Sequence, residues 1–149
     1  MRRIRVQHLT LKVFSHATED PNKVKKAAVN ILPEKLRNKA VFDEVVTKGH
    51  YGNEIRVLTL KLKRKEALEA LKHILCNMSE VERNILLATL ETRVDPPSHL
   101  YLRLSKQDAY RGSIRLLDSG DVIRLAVTIE GATSIDEMRD FLSSLVKVC

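Results

Sequence analysis

Arg5-Val6-Gln7-His8-Leu9-Thr10-Leu11-Lys12-Val13-Phe14-Ser15-His16 is the stretch whose pattern decides how the chain folds. Leu9, Leu11 and Val13 recur at every second position, with His8, Thr10, Lys12, Phe14 and His16 between them. Successive side chains of an extended chain point to opposite sides. The pattern therefore predicts a strand with one apolar, buried face and one polar, partly aromatic face. Ile4 and Val6 fall on the wrong parity, which predicts a bulge near Gln7.

A half-buried strand needs a cover, and the next segments supply it. Asp20 and Pro21 suit the cap and first turn of a helix. Val24, Ala27, Ala28, Ile31 and Leu32 then form an apolar stripe at helical spacing, ended by Pro33. Residues 41–50 and 53–62 read as an antiparallel pair joined by Gly49-His50-Tyr51-Gly52-Asn53, whose glycines and asparagine accept the backbone angles of a tight turn. Two helices follow. The first, 65–77, presents Leu68, Leu71 and Leu75 with Ala67, Ala70 and Ile74; the second opens on the Ser79-x-x-Glu82 capping box and is expected to bury Val81, Ile85, Leu86 and Leu90.

Asp95-Pro96-Pro97-Ser98 reads as a loop, and 99–104 as a strand through Leu100, Leu102 and Leu104. A short helix over 106–110 is capped by Ser105. Residues 113–117 and 121–130 suggest a further hairpin across Asp118-Ser119-Gly120, and Ser134 caps a last helix buried through Ile135, Met138, Phe141, Leu142 and Leu145. The order β-α-β-β-α-α-β-short α-β-β-α predicts an α+β fold: a single mixed or antiparallel sheet with helices mainly on one face. At 149 residues the chain is expected to form one domain spanning 1–149.

Charge narrows the function. Twenty-six Lys and Arg stand against nineteen Asp and Glu, a net +7, which favours a polyanionic partner over a neutral one. No apolar run approaches the roughly 18 residues a membrane span requires. The stretch after the basic opening is too polar for a signal peptide, so no membrane contact and a cytoplasmic location are expected. Cys76 and Cys149 show no paired or metal-binding spacing and read as reduced thiols, Cys76 as a small buried hydrophobe.

Catalytic signatures such as G-x-S-x-G, a Walker loop, H-E-x-x-H and C-x-x-C do not occur. His8 and His16 share a strand face but lie about 27 Å apart at ~3.4 Å per residue. No enzyme, cofactor or metal is therefore expected. Two segments do suit RNA. His50 and Tyr51 on the glycine turn offer an imidazole and a stacking ring beside exposed backbone N–H groups. The residues from Tyr101 to Arg115, among them Arg103, Lys106, Gln107, Tyr110, Arg111 and Arg115, combine cations, an amide and two aromatics, the mixture that suits single-stranded or looped RNA.

The same segments carry a resemblance. His16-Ala17-Thr18-Glu19-Asp20, then Gly49-His50-Tyr51-Gly52-Asn53, then Leu100-Tyr101-Leu102-Arg103-Leu104 with Lys106-Gln107 and Ala109-Tyr110, and Asp121-Val122-Ile123-Arg124 occur in this order. Over residues 5–130 the chain resembles the small archaeal family of predicted exosome subunits and RNA-binding proteins. The resemblance implies a fold like that of the ribosomal protein that binds 5S RNA, a role in RNA processing and no catalytic activity. Glu54 departs from the pattern, which is expected to have proline there.

The expectation is a non-catalytic RNA-binding protein, exosome-associated or ribosome-related. Its RNA surface would be an electrostatic groove of Lys12, Lys48, Arg56, Arg103, Lys106, Arg111 and Arg124, with Gln107 beside them and His50, Tyr51 and Tyr110 as stacking groups. The alternative is a protein-interaction subunit or homodimer without intrinsic RNA affinity, docking through its helical hairpin 65–92 or an exposed strand edge.

Overall fold

A computed structural model of the chain describes residues 3–49, 51–95 and 98–149. Its centre is an antiparallel sheet of six strands in the order β2-β3-β1-β6-β5-β4. The strands are β1 (Arg5–His16), β2 (Asp43–Lys48), β3 (Glu54–Lys63), β4 (Val94–Asp95), β5 (His99–Ser105) and β6 (Val122–Glu130). The helices are α1 (Pro21–Asn30), α2 (Glu34–Arg37), α3 (Arg64–Asn77), α4 (Glu80–Ala88), α5 (Lys106–Tyr110) and α6 (Ile135–Val146). The α+β class, one sheet and the helical cover agree with the sequence pattern.

Alternation in β1 does what its spacing implies. Leu9, Leu11 and Val13 are fully buried and join Leu58 and Leu60 of β3, Leu100, Leu102 and Leu104 of β5, and Leu125 and Val127 of β6 in one core under the helices. The register of β1 on β6 shifts between Val6 and His8, the expected bulge. That extra residue returns Val6 to the buried side with 6% exposure, so both halves of the strand serve one core. At the far end of β6, Gly131 has φ 96° and its α-carbon lies so close to the Arg3 backbone that a side chain would collide with it. Only glycine fits there without strain.

Caps form where the sequence has them. Asp20 accepts the Asn22 N–H, and Ser79, Ser105 and Ser134 accept the N–H groups of Glu82, Asp108 and Glu137. The box at Ser79 is only half made, because the Glu82 carboxylate turns away to accept the Leu116 N–H at 2.6 Å. That bond ties α4 to the segment before β6.

Three expectations are corrected, and one unexpected element, α2, is added. Residues 113–117 form no strand with β6, since β6 already has β1 on one edge and β5 on the other. The segment instead hangs on β5 through a lone bridge, Leu104↔Leu116, and the sixth strand is the short β4. Val81 and Ile85 of α4 are exposed at 68% and 47%, because none of the described residues covers that side of the helix; Leu86 and Leu90 are buried as expected. After Pro33 the chain re-enters a helical turn, α2, which buries Leu36. Finally, Cys76 and Cys149 are joined in a disulfide that links the end of α3 to the last residue, 73 positions away. Among the described residues, no helix is long and apolar enough to cross a membrane.

Candidate functional site

One face of the sheet carries the helices; the other is open. Because residues directly opposite in an antiparallel ladder share a face, the register fixes the open side. Its positions are His8, Thr10, Lys12, Phe14 and His16 on β1, Ile55, Val57, Thr59, Lys61 and Lys63 on β3, Arg124, Ala126 and Thr128 on β6, and His99, Tyr101 and Arg103 on β5. Lys12, Lys61, Lys63, Tyr101, Arg103 and Arg124 are exposed. Carboxylates on this side stand towards its margins: Asp43 on β2, Asp95 on β4, Glu130, which Arg5 and Gln7 engage, and Asp118, which pairs with Arg93 at 3.3 Å.

A row of cations crosses the centre. Lys12 of β1 is directly opposite Arg124 of β6, and Arg124 is directly opposite Arg103 of β5. Neighbouring strands lie ~4.8 Å apart, so the row spans roughly 10 Å. The Arg124 guanidinium stands 5.6 Å over the Phe14 ring, and Arg103 donates to the Asp118 carbonyl at 2.8 Å. A shallow depression of about 360 Å³ runs between these groups, lined by Thr10, Lys12, Tyr101, Arg103, Arg124 and Ala126 among others.

Other residues of the expected groove lie elsewhere. Lys48 and Arg56 sit one position out of phase and point to the helix side of β2 and β3, with Glu54 directly opposite Lys48. Tyr51 is 87% exposed on the turn that joins those strands, and His50 lies outside the described residues. Gln107, Tyr110 and Arg111 line a groove between α1 and α5, where Lys26 stands 5.5 Å from the Tyr110 ring. A single groove holding all of these side chains is not formed. Lys61 and Lys63, absent from the expected set, share the open face with Lys12; the alternation of residues 58–63 carried that signal.

Lys106 departs furthest from expectation. Its side chain is 5% exposed and its ammonium donates to the Phe14 carbonyl at 2.8 Å and to Glu19 at 2.9 Å, with Asp121 at 3.0 Å. Those partners occupy the ammonium inside the fold and pin α5 to β1 and to the start of β6. Burial tends to raise the Glu19 carboxyl, but the His16 N–H and Lys106 outweigh it and hold it below the ordinary glutamate range. His16, Glu19 and Asp121 also have ligand atoms within 4.8 Å of one another, a spacing a metal ion could bridge. The charge that such an ion would supply already comes from Lys106.

Open face and buried cation thus differ in chemistry. The first offers exposed cations and rings at a solvent-accessible surface, suited to phosphates and bases. The second is a closed structural knot.

Residues 8–129 match the model of a family described as RNA binding. An RNA-binding protein of Pyrococcus abyssi is 32% identical over 133 residues, covering 86% of this chain and 84% of its own. A protein of Methanocaldococcus jannaschii is 35% identical over 119 residues, covering 78% and 79%. Among solved structures, a crystal structure of a protein from Archaeoglobus fulgidus superposes with a TM-score of 0.79 at 27% identity, over 95% of this chain and 99% of that one.

Proposed function

This chain belongs to the RNA-binding family matched over residues 8–129, and from that premise we propose that it binds RNA, without catalysing a reaction, on the open face of its sheet. The observation that carries the assignment to this face is the row Lys12–Arg124–Arg103, three cations on adjacent strands with Phe14 and Tyr101 beside them. A phosphate backbone laid across the strands meets the row and Lys61, while unpaired bases stack on the rings. Binding is driven by counterion release and reads shape and charge before sequence.

The finer reading is a single RNA-binding unit over residues 1–149, working in RNA processing with the exosome or the ribosome in an archaeal cytoplasm. Its support is the ordered run of motifs from His16 to Arg124, through which the chain resembles predicted exosome subunits. Co-sedimentation with exosome and ribosomal fractions tests that part by itself.

The face is tested by filter binding with a single-stranded and a hairpin RNA across a series of salt concentrations. Replacing Lys12, Arg103 and Arg124 by Gln weakens binding and lowers the log–log salt slope by roughly 0.7–0.9 for each phosphate that is no longer neutralised. Replacing Arg56 and Arg111 leaves the slope unchanged. The reverse result moves the RNA to the helix side and overturns the proposal.

A further inference from the structure

The sheet ends at β2, and that edge is bare. All six of its residues are exposed, Val45 at 61% and Val46 at 50%. Antiparallel ladders alternate between pairs that exchange both backbone bonds and pairs that exchange neither. Gly49 N–H donates to the Asn53 carbonyl at 2.6 Å, and the register then runs unbroken from Lys48↔Glu54 to Asp43↔Thr59. This fixes the phase. Asp43, Val45 and Thr47 turn their backbone groups to β3, while Glu44, Val46 and Lys48 turn theirs outward.

We propose that this edge pairs with the β2 edge of a second copy of the chain, antiparallel about a two-fold axis through Val46, so that the two sheets run on as one. Charge selects this register. A two-fold axis that keeps the faces of both sheets continuous must pass between two copies of one residue, and of the centres in β2 only Val46 sets Glu44 directly against Lys48. Centring on Glu44 opposes two carboxylates and centring on Lys48 opposes two ammoniums, both unfavourable. Centring on Val46 sets Glu44 of each copy against Lys48 of the other and Val46 against Val46. Val45 then meets Thr47 on the open side.

The strand is thus complementary in charge to itself. It carries neither a proline nor a bulge, two of the devices that blunt sheet edges against pairing. Glu44 already lies 3.1 Å from Lys25 of α1 and keeps 36% of its side chain exposed, so Lys48 of the second copy would extend that pair into a three-membered network. The dimer carries both open faces on one side. It does not depend on the RNA reading.

Sedimentation velocity at tens of micromolar protein tests the edge. The native chain is expected to sediment as a dimer. Val46→Pro removes an outward N–H and none of the bonds to β3, so it should sediment as a monomer with an unchanged circular dichroism spectrum. Glu44→Lys and Lys48→Glu each oppose like charges and should raise the dimer dissociation constant by about tenfold or more, given ~1.4 kcal/mol per decade. An equimolar mixture of these two variants places opposite charges at both pairs and should restore the dimer, which keeps the test decisive if Val46→Pro misfolds. A monomeric native chain, a Val46→Pro dimer with native spectrum, or a mixture no more dimeric than its components overturns the proposal.

Discussion

Arg124 stands directly opposite Lys12 in the ladder between β6 and β1, with both side chains on the open face of the sheet. Like charges in direct cross-strand opposition work against folding. Arg103 adds a third charge from the other side of Arg124. Within the fold, the Phe14 ring and the Asp118 carbonyl offset this repulsion only in part. An anion lying across the strands would be attracted by all three, so the arrangement that opposes folding of the isolated chain favours binding.

Replacing Arg124 by Gln should therefore separate the two effects. RNA affinity falls and the salt slope drops by roughly 0.7–0.9. Thermal stability stays within about 0.5 kcal/mol of native, or rises, as expected of an exposed site relieved of repulsion. Filter binding and a thermal melt on the same preparation check both. A large loss of stability would mark Arg124 as a structural residue.

Lys106→Met should give the opposite result. The substitution keeps the apolar stem and removes the ammonium, leaving Glu19 and Asp121 without their shared cation and the Phe14 carbonyl without its donor. Removing one member of a fully buried ion pair costs several kcal/mol. Here the carboxylates are 28% and 40% exposed and water compensates in part, so about 2 kcal/mol is expected. RNA binding measured well below the melting temperature keeps its native salt slope. A reduced slope with unchanged stability would return Lys106 to the RNA surface.

Lys106 also shows where the sequence was silent. Its partners Phe14 and Glu19 lie 92 and 87 positions away, and no local pattern announces them. The alternation of β1, the bulge at Gln7 and the caps at Asp20, Ser79, Ser105 and Ser134 were legible because each depends on neighbours within four residues. Ladder register was not, and register alone unites Lys12, Arg103 and Arg124 while turning Lys48 and Arg56 to the other face. Val81 and Ile85 misled for the opposite reason: an apolar stripe on a helix states what can be buried, and only the packing of α4 decides what is.

Acid should weaken the fold through Glu19. Its carboxyl is held below the ordinary range in the native state, against burial, by the His16 N–H and Lys106. The unfolded chain therefore binds a proton there at a higher pH than the native chain does. The stabilisation is complete above the unfolded value and is lost as pH falls through the depressed native one. His73 acts in the same direction. Burial and then Arg37 lower its imidazole, so the unfolded chain again takes up the proton first. Urea midpoints measured from neutral to acid pH should fall, and Glu19→Gln should start lower at neutrality with a shallower acid decline. An unchanged acid limb in that variant would remove Glu19 from the account.

Reduction should loosen the chain without dissolving the sheet. The bond between Cys76 and Cys149 closes a loop with a sequence separation of 73, which in the chain-entropy view restrains the unfolded state by about 4 kcal/mol. Apart from this bond, α6 packs on α3 through its own apolar stripe and buries Met138 and Leu142. A reductant should thus lower the urea midpoint, speed amide exchange in the last turn of α6, and leave intact the RNA binding proposed for the opposite face of the sheet. Cys149→Ser should show the same loss and no further response to reductant. Equal midpoints with and without reductant would mean that the two sulfurs contribute no net restraint, and that α6 is held by packing alone.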